Sequence, residues 1–320
     1  MTDFTEPTVK ATGRKRVGRT PIAVTRLGVG GGSSFARSED PGLLDACWDS
    51  GVRYFDTSPF YGGGDSERRF GESLAGRPRD AFVLSTKAGH IATKTFDYSG
   101  SSVRASVERS LGRLRLDRLD IVYIHDLDPD EHGDAFERQF ALATGEAYPA
   151  LVELRDAGTI GAIGVGLKDW DVALRFAKSA HLDCIMLAGG YTLLQHGGLR
   201  ELLPWCEANS VSVVIAAPYN TGILATGAIE GARYYYETAR PAILTRTRAL
   251  EEVCARHGVP LAAAALQFPL HHPAVVSVVV GHERASEVAR NLVLLDHVIP
   301  TSLWHDLKDQ SLIPNEAPTP

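Results

Sequence analysis

Short apolar, β-branched runs return along this chain, and stretches with helical periodicity fill the gaps between them. The runs are "TRLGVG" (25–30), "VRYFD" (52–56), "FVLSTK" (82–87), "LDIVYIH" (119–125), "IGAIGVG" (160–166), "LDCIML" (182–187), "VSVVIAA" (211–217) and "VVSVVVG" (275–281). Between them, "SVRASVERSLGRL" (102–114), "AYPALVELRDAG" (147–158) and "SEVARNLVLL" (286–295) carry apolar residues at helical spacing, and the glycine of "DAG" is a helix stop. Continuous apolar strands separated by helices predict a parallel sheet covered by helices on its outer face. Eight such units predict an α/β fold of the closed (β/α)8 TIM-barrel type rather than an open doubly wound sheet.

Ahead of the barrel, "RKRVGRTPIAVTRLGVGG" predicts a short N-terminal β-hairpin. Residues 1–13 are expected to be disordered, and 14–320 to form one barrel domain. Long βα loops follow the fourth strand (126–145) and the seventh (217–240), on the face where barrel enzymes place their chemistry. The Pro-rich tail "LIPNEAPTP" is expected to drape over the surface.

Composition narrows the function. A net charge of −6 argues against a nucleic-acid or anionic-membrane partner. No run approaches the roughly 18 apolar residues of a membrane span, and the polar N-terminus has no secretion-signal core. Cys47, Cys184, Cys206 and Cys254 are far apart, without zinc spacing, as expected of core thiols in a reduced cytoplasmic protein. Monomer and homo-oligomer both remain open.

Candidate chemistry lies at the C-terminal ends of the apolar runs. Asp56 ends the second, Lys87 the third and His125 the fourth, while Tyr61 opens the three glycines of "FYGGG" just after the second. In a closed barrel these ends converge on one mouth. Each residue alone has a structural reading; four ionisable groups at one height are harder to explain that way. A free tyrosine, with a pKa of about 10, exchanges protons poorly at neutral pH. A neighbouring ammonium lowers that value, a carboxylate positions the ammonium, and a histidine can hydrogen-bond a carbonyl oxygen. Such a set adds or removes a proton at an oxygen whose carbon gives or takes a hydride.

"FDTSPFYG", "STKAG" and "YIHDLD" resemble the catalytic tetrad of the aldo-keto reductases, and the likeness continues to "VVVGHERASEVARN". The resemblance implies NAD(P)-linked interconversion of a carbonyl and an alcohol, without metal or flavin. In it Tyr61 is the proton donor and acceptor, Lys87 lowers its pKa, Asp56 pairs with Lys87 and His125 orients the substrate oxygen. It implies cofactor contacts at Gly30, Asp56, Pro218, Asn220, Gly222 and Leu224, and at Gly281, His282, Glu287 and Asn291, the last on the adenine. After the fifth strand, where the family usually has Ser-Asn for the nicotinamide amide, this chain has Leu167 and Lys168. Glu283 and Glu287, standing where NADP-preferring members are basic, imply NAD in preference to NADP. Phe60, Tyr61, Tyr98, His125 and Tyr235 are the candidate substrate contacts, with Tyr234 and Tyr236 beside the last.

Within the family the chain resembles the bacterial branch of sugar and pyridoxal dehydrogenases, although related members often carry Arg where this chain has Gly190. That likeness implies oxidation of a cyclic hemiacetal, an aldose such as L-fucose or pyridoxal, to a lactone. A general NADPH-dependent aldehyde or ketone reductase is the alternative with the same tetrad, and a redox-sensing regulatory subunit the alternative of another class. Two other patterns carry less. "GVGGGSS" (28–34) has Ser33 where a dinucleotide-binding GxGxxG needs Gly. "DLDPDEHGDAFE" (126–137) lacks the glycine of a calcium loop, so its acids are expected to be solvated or to face substrate.

Overall fold

In a computed structural model of the chain, residues 10–320 are described. Eight parallel strands close a barrel: Leu27–Gly30, Tyr54–Asp56, Val83–Ala88, Leu119–His125, Ile160–Leu167, Cys184–Ala188, Ser212–Ala216 and Val275–Gly281. The eighth strand pairs with the first, Val278 opposite Leu27 and Gly281 opposite Gly30. All eight expected strands are present, within one or two residues of their anticipated ends.

Alternation along each strand creates two cores. In the second strand Tyr54 joins an inner cluster with Ile121, Tyr123 and Met186, filling the barrel, while Phe55 joins an outer cluster under the helices. The same parity puts Val279 inside and Val278 outside.

The hairpin forms as expected, Arg14–Arg16 pairing antiparallel with Ala23–Thr25. Val17 and Val24 are fully buried in the inner cluster, and the Gly18 amide donates to Ser212 Oγ at 2.8 Å. The hairpin therefore stoppers the end of the barrel where the strands begin.

Several expectations about the periphery change. Residues 1–9 lie outside the described residues, so their expected disorder is not addressed. That of residues 11–13 is corrected: Ala11 is buried, donates to Asp296 Oδ1 at 3.1 Å and accepts from the Leu27 amide. The tail does not merely drape, because Leu312, Ile313 and Ala317 are buried and Arg246 donates to the Leu312 carbonyl. Both long loops carry structure of their own. Helices Pro129–His132 and Phe136–Leu142 lie within the first, and the second folds into a small hairpin, Arg233–Tyr234 with Glu237–Thr238. Another hairpin, His90–Ala92 with Thr95–Phe96, follows the third strand and was not anticipated. Among the described residues no helix is long and apolar enough to cross a membrane.

Candidate active site

Asp56, at the end of the second strand, meets Lys87 of the third, with Nζ 2.6 Å from Oδ2 and both side chains almost wholly buried. Lys87 also donates to the Thr57 carbonyl at 2.8 Å, and Ser85 Oγ donates to Asp56 Oδ1 at 2.7 Å. A buried pair persists only when its remaining hydrogen-bonding capacity is met, as it is here. Tyr61 opens the turn Tyr61–Gly64, in which Gly62, Gly63 and Gly64 have φ of 62°, 62° and 94°. Those left-handed angles explain the three glycines and bring the half-buried Tyr61 ring over the pair. The ring stands edge-on to His125, centroids 5.8 Å apart, and His125 Nδ1 lies 3.3 Å from Ser58 Oγ.

The four sequence candidates thus share one site, but its electrostatics differ from expectation in one respect. The Lys87 ammonium lies 4.9 Å from the centroid of the Tyr61 ring and makes no hydrogen bond to its hydroxyl. Among the described residues the Tyr61 hydroxyl has no hydrogen-bond partner. Burial, then the Asp56 and Asp126 carboxylates, push the phenol well above its ordinary value, so in this arrangement Tyr61 is an acid holding its proton. Burial likewise lowers the His125 imidazole to about 3, so it is neutral at working pH.

His90, which the sequence did not single out, and Asp126, from the loop whose acids were expected to be solvated or to face substrate, lie against His125. His90 Nδ1 is 2.8 Å from Asp126 Oδ2, and the same oxygen lies 3.4 Å from His125 Nε2. The His90 ring stacks on Phe60 at 3.8 Å between centroids. Burial alone would raise Asp126, but His125 and His90 outweigh it and hold the carboxyl at about 2, ionised. The donor atoms of His90, His125 and Asp126 lie within 4.8 Å of one another, near enough to bracket a cation, and hydrogen bonding already joins two of them. The available signals were position alone: Asp126 adjoins His125, and His90 follows Lys87 by three residues.

The "DLD" acids are consequently not a solvated loop. Asp128 is buried and accepts from the Lys168 and Asp169 amides at 2.9 and 2.8 Å, while burial raises its carboxyl to about 7. Lys168 pairs with Asp130 and Glu131, tying the start of the next loop to this one.

Other sequence candidates are placed as follows. Phe60 lines the mouth through its stack on His90. Tyr98 is fully buried, and its hydroxyl donates to the His125 carbonyl at 2.7 Å, bracing that strand end from behind. Tyr235 is half-buried and donates to the Gly189 carbonyl at 3.1 Å, at the end of the sixth strand. Leu167 points into the outer cluster under the helices, so its side chain is not available to a nicotinamide. Asn220 is spent on structure, accepting from Thr192 Oγ1 at 2.6 Å and donating to the Gly189 carbonyl at 3.2 Å. Leu224 and Pro218 are buried, and Gly222 is a left-handed turn residue. Asn291 is engaged with His282 and Tyr219, both partners within 2.9 Å, and His282 is fully buried. Glu287 is a helix cap: its Oε2 accepts from the Glu283 and Arg284 amides at 2.7 and 3.3 Å. Its Oε1 has no hydrogen-bond partner among the described residues.

A flat redox group can nonetheless reach the site. Gly30 stands opposite Asp56 on one side and Gly281 on the other. A Cβ at Gly30 would come within 3.0 Å of Val279 Cγ1, and one at Gly281 within 3.2 Å of Ser34 Cβ. Val279 and Ser34 thus restrict both positions to glycine, and no side chain projects from Gly30 or Gly281 beside the Asp56–Lys87 pair, which fits a site that takes a nicotinamide dinucleotide there.

A neutral imidazole, a protonated phenol and a buried Lys–Asp pair at the mouth of a (β/α)8 barrel define an oxidoreductase that handles the proton of a carbonyl–alcohol couple. The chain belongs to the Aldo/keto reductase family, which it matches over residues 26–310, and is an NAD(P)-dependent oxidoreductase. It is 36% identical to the pyridoxal 4-dehydrogenase of Microbacterium luteolum, with 95% of this chain and 99% of that protein aligned. It is 37% identical to a D-threo-aldose 1-dehydrogenase of a Pseudomonas species, over 97% and 98% of the two chains. Among solved structures, an aldo-keto reductase of Bacillus halodurans in its holo form superposes with a TM-score of 0.75 at 24% identity, over 95% of this chain and 96% of that one. That likeness shows the shared barrel.

Proposed function

We propose that this chain oxidises a cyclic hemiacetal to a lactone, with NAD as the favoured acceptor. The observation that carries the reading is the near end-to-end likeness to two dehydrogenases whose named substrates, an aldose and pyridoxal, both close internally to hemiacetals. A dinucleotide bound against Gly30 and Gly281, with segment 217–224 and the start of helix Ala285–Leu295 beside it, would supply the hydride acceptor. Tyr61 takes the proton of the anomeric hydroxyl, and His125, neutral, positions that oxygen through Nε2. Lys87 supplies the positive charge that a phenolate needs, held in place by Asp56. The four buried, unpaired cysteines suit the reducing cytoplasm in which we place the reaction.

The test is turnover of the purified protein with NAD and a panel of aldoses and pyridoxal, beside plain aldehydes with NADPH. Stoichiometric NADH and lactone are expected; aldehyde reduction with no lactol oxidation would overturn the reading. The pH profile has a definite sign. Because the Tyr61 pKa is raised, oxidation, which needs a proton acceptor, is expected to climb toward alkaline pH, while reduction, which needs a donor, holds its rate at neutral pH.

Cofactor choice rests on Glu287, whose Oε2 caps the helix, and on Glu283 beside it. Glu283 lies 2.5 Å from Arg37 and neutralises a guanidinium that a 2′-phosphate would otherwise find. Glu283→Gln is expected to move the kcat/KM ratio of NADP to NAD upward by roughly 3- to 10-fold, a modest change because the pair is exposed. An unchanged ratio, or a wild type that already favours NADP, would count against it.

A further inference from the structure

We propose that Asp126, held in place by His90, accepts a hydrogen bond from a substrate hydroxyl beside the reacting carbon and so selects hydroxylated substrates over plain aldehydes and alcohols. The inference deepens the hemiacetal reading and rests on it for its natural substrate.

Asp126 follows directly on the catalytic histidine, and its backbone is unusual for its type. Its φ is +51°, a left-handed angle that few non-glycine residues adopt, and its amide donates to the Gly166 carbonyl at 2.8 Å. A non-glycine residue fixed in this conformation needs support from its surroundings, which the fifth strand provides. The carboxylate then reaches back to the mouth. Oδ2 is occupied by His90 Nδ1 and lies beside His125 Nε2, the nitrogen assigned to the reacting oxygen. Oδ1 has no hydrogen-bond partner among the described residues, and the side chain is about a quarter exposed, 24%. An ionised acceptor with one oxygen fixed and the other open therefore stands next to the residue that orients the reacting oxygen.

Position explains the selectivity. A hydroxyl oxygen on the carbon next to the anomeric carbon lies three bonds from the oxygen at His125, so one substrate can satisfy both residues. A substrate lacking that hydroxyl leaves a desolvated carboxylate oxygen unpaired, and sites built to pair a hydroxyl reject analogues without it. His90 keeps the carboxylate in register: its ring is clamped between Phe60 and Phe96, at 3.8 and 4.3 Å between centroids, so Nδ1 cannot turn away. The same Phe60–His90 stack offers one flat flank to a ring. Lys87 is committed to Asp56 and Thr57, and Lys168 to Asp130 and Glu131, so neither cation neutralises Oδ1 directly.

The experiment compares kcat/KM on two matched pairs: an aldose and its 2-deoxy analogue in oxidation, and 2-hydroxypropanal and propanal in reduction. The proteins are wild type, Asp126→Asn, Asp126→Gly and His90→Phe. Asparagine and glycine both tolerate the left-handed backbone, and phenylalanine keeps the stack on Phe60 while losing the hydrogen bond. Wild type is expected to favour the hydroxylated member by roughly 10- to 100-fold, the range for a hydrogen bond to a charged group. Both Asp126 variants are expected to erase the preference, chiefly through a higher KM for the hydroxylated member, and His90→Phe to lower it partway. A wild type without preference in either pair overturns the proposal. Equal losses on both members in the Asp126 variants also overturn it, because Asp126 would then act only on His125. If lactols are untouched but the aldehyde pair shows a preference that Asp126→Asn erases, the hemiacetal reading fails and the role of Asp126 stands.

Discussion

Tyr61→Phe is expected to lower turnover by roughly 10²- to 10⁴-fold, the contribution of a positioned acid–base group, in both directions of the reaction. The ring still fills its place over Lys87 and beside His125, so the loss falls on the proton path and not on packing. Cofactor affinity should change by no more than about twofold, since an interaction made only in the reacting complex lowers kcat without weakening ground-state binding. Fluorescence titration with NADH and steady-state turnover would therefore separate. Retention of more than a few per cent of the wild-type rate would show that another group carries the proton, and the ionised Asp126 would be the first to examine.

Lys87→Met has two expected effects that a single double substitution can resolve. First, it strands the Asp56 carboxylate in the barrel with Ser85 as its remaining side-chain partner, and breaking a buried pair from one side costs about 3–5 kcal/mol. Adding Asp56→Asn should restore most of that stability, measured by denaturant unfolding. Second, oxidation should begin only at higher pH, because removing a positive charge 4.9 Å from the Tyr61 ring takes away the neighbour that favours a phenolate. The double variant recovers the fold but not the neutral-pH activity. A single variant whose pH profile keeps the wild-type shape, merely scaled down, would remove Lys87 from the proton chemistry. His125, neutral down to about pH 3, adds no limb to the profile in the working range.

The barrel was legible because burial on both faces of a parallel strand leaves an uninterrupted apolar run, and eight of them stand out from the helical stretches between. Strand ends were legible too, which is why Asp56, Lys87 and His125 could be placed at one height. The direction of a side chain past a strand end was less so. Leu167 and Gly30 both end strands, yet parity and register turn the first toward the helices and leave the second at the mouth. Tyr98 reads as a candidate substrate contact, but it follows a hairpin made of residues with no strong pattern and is fully buried. The sequence leaves the acids after His125 either solvated or facing substrate, because charge is usually at a surface. Their burial depends on amides of residues 168 and 169, some forty positions away, and on a histidine clamped between aromatic rings. Sequence patterns report local periodicity; such long-range pairings leave no local trace.

The stoppered end of the barrel has a consequence for traffic. With Val17 and Val24 wedged among the inner side chains, the described residues stopper the barrel from below, and Asp56 faces the opposite end, where the strands finish. Two reactants that share a single doorway form a queue. Under the proposed reaction, a dinucleotide seated beneath the substrate would arrive first and depart last, and anything lodged at the threshold would imprison it.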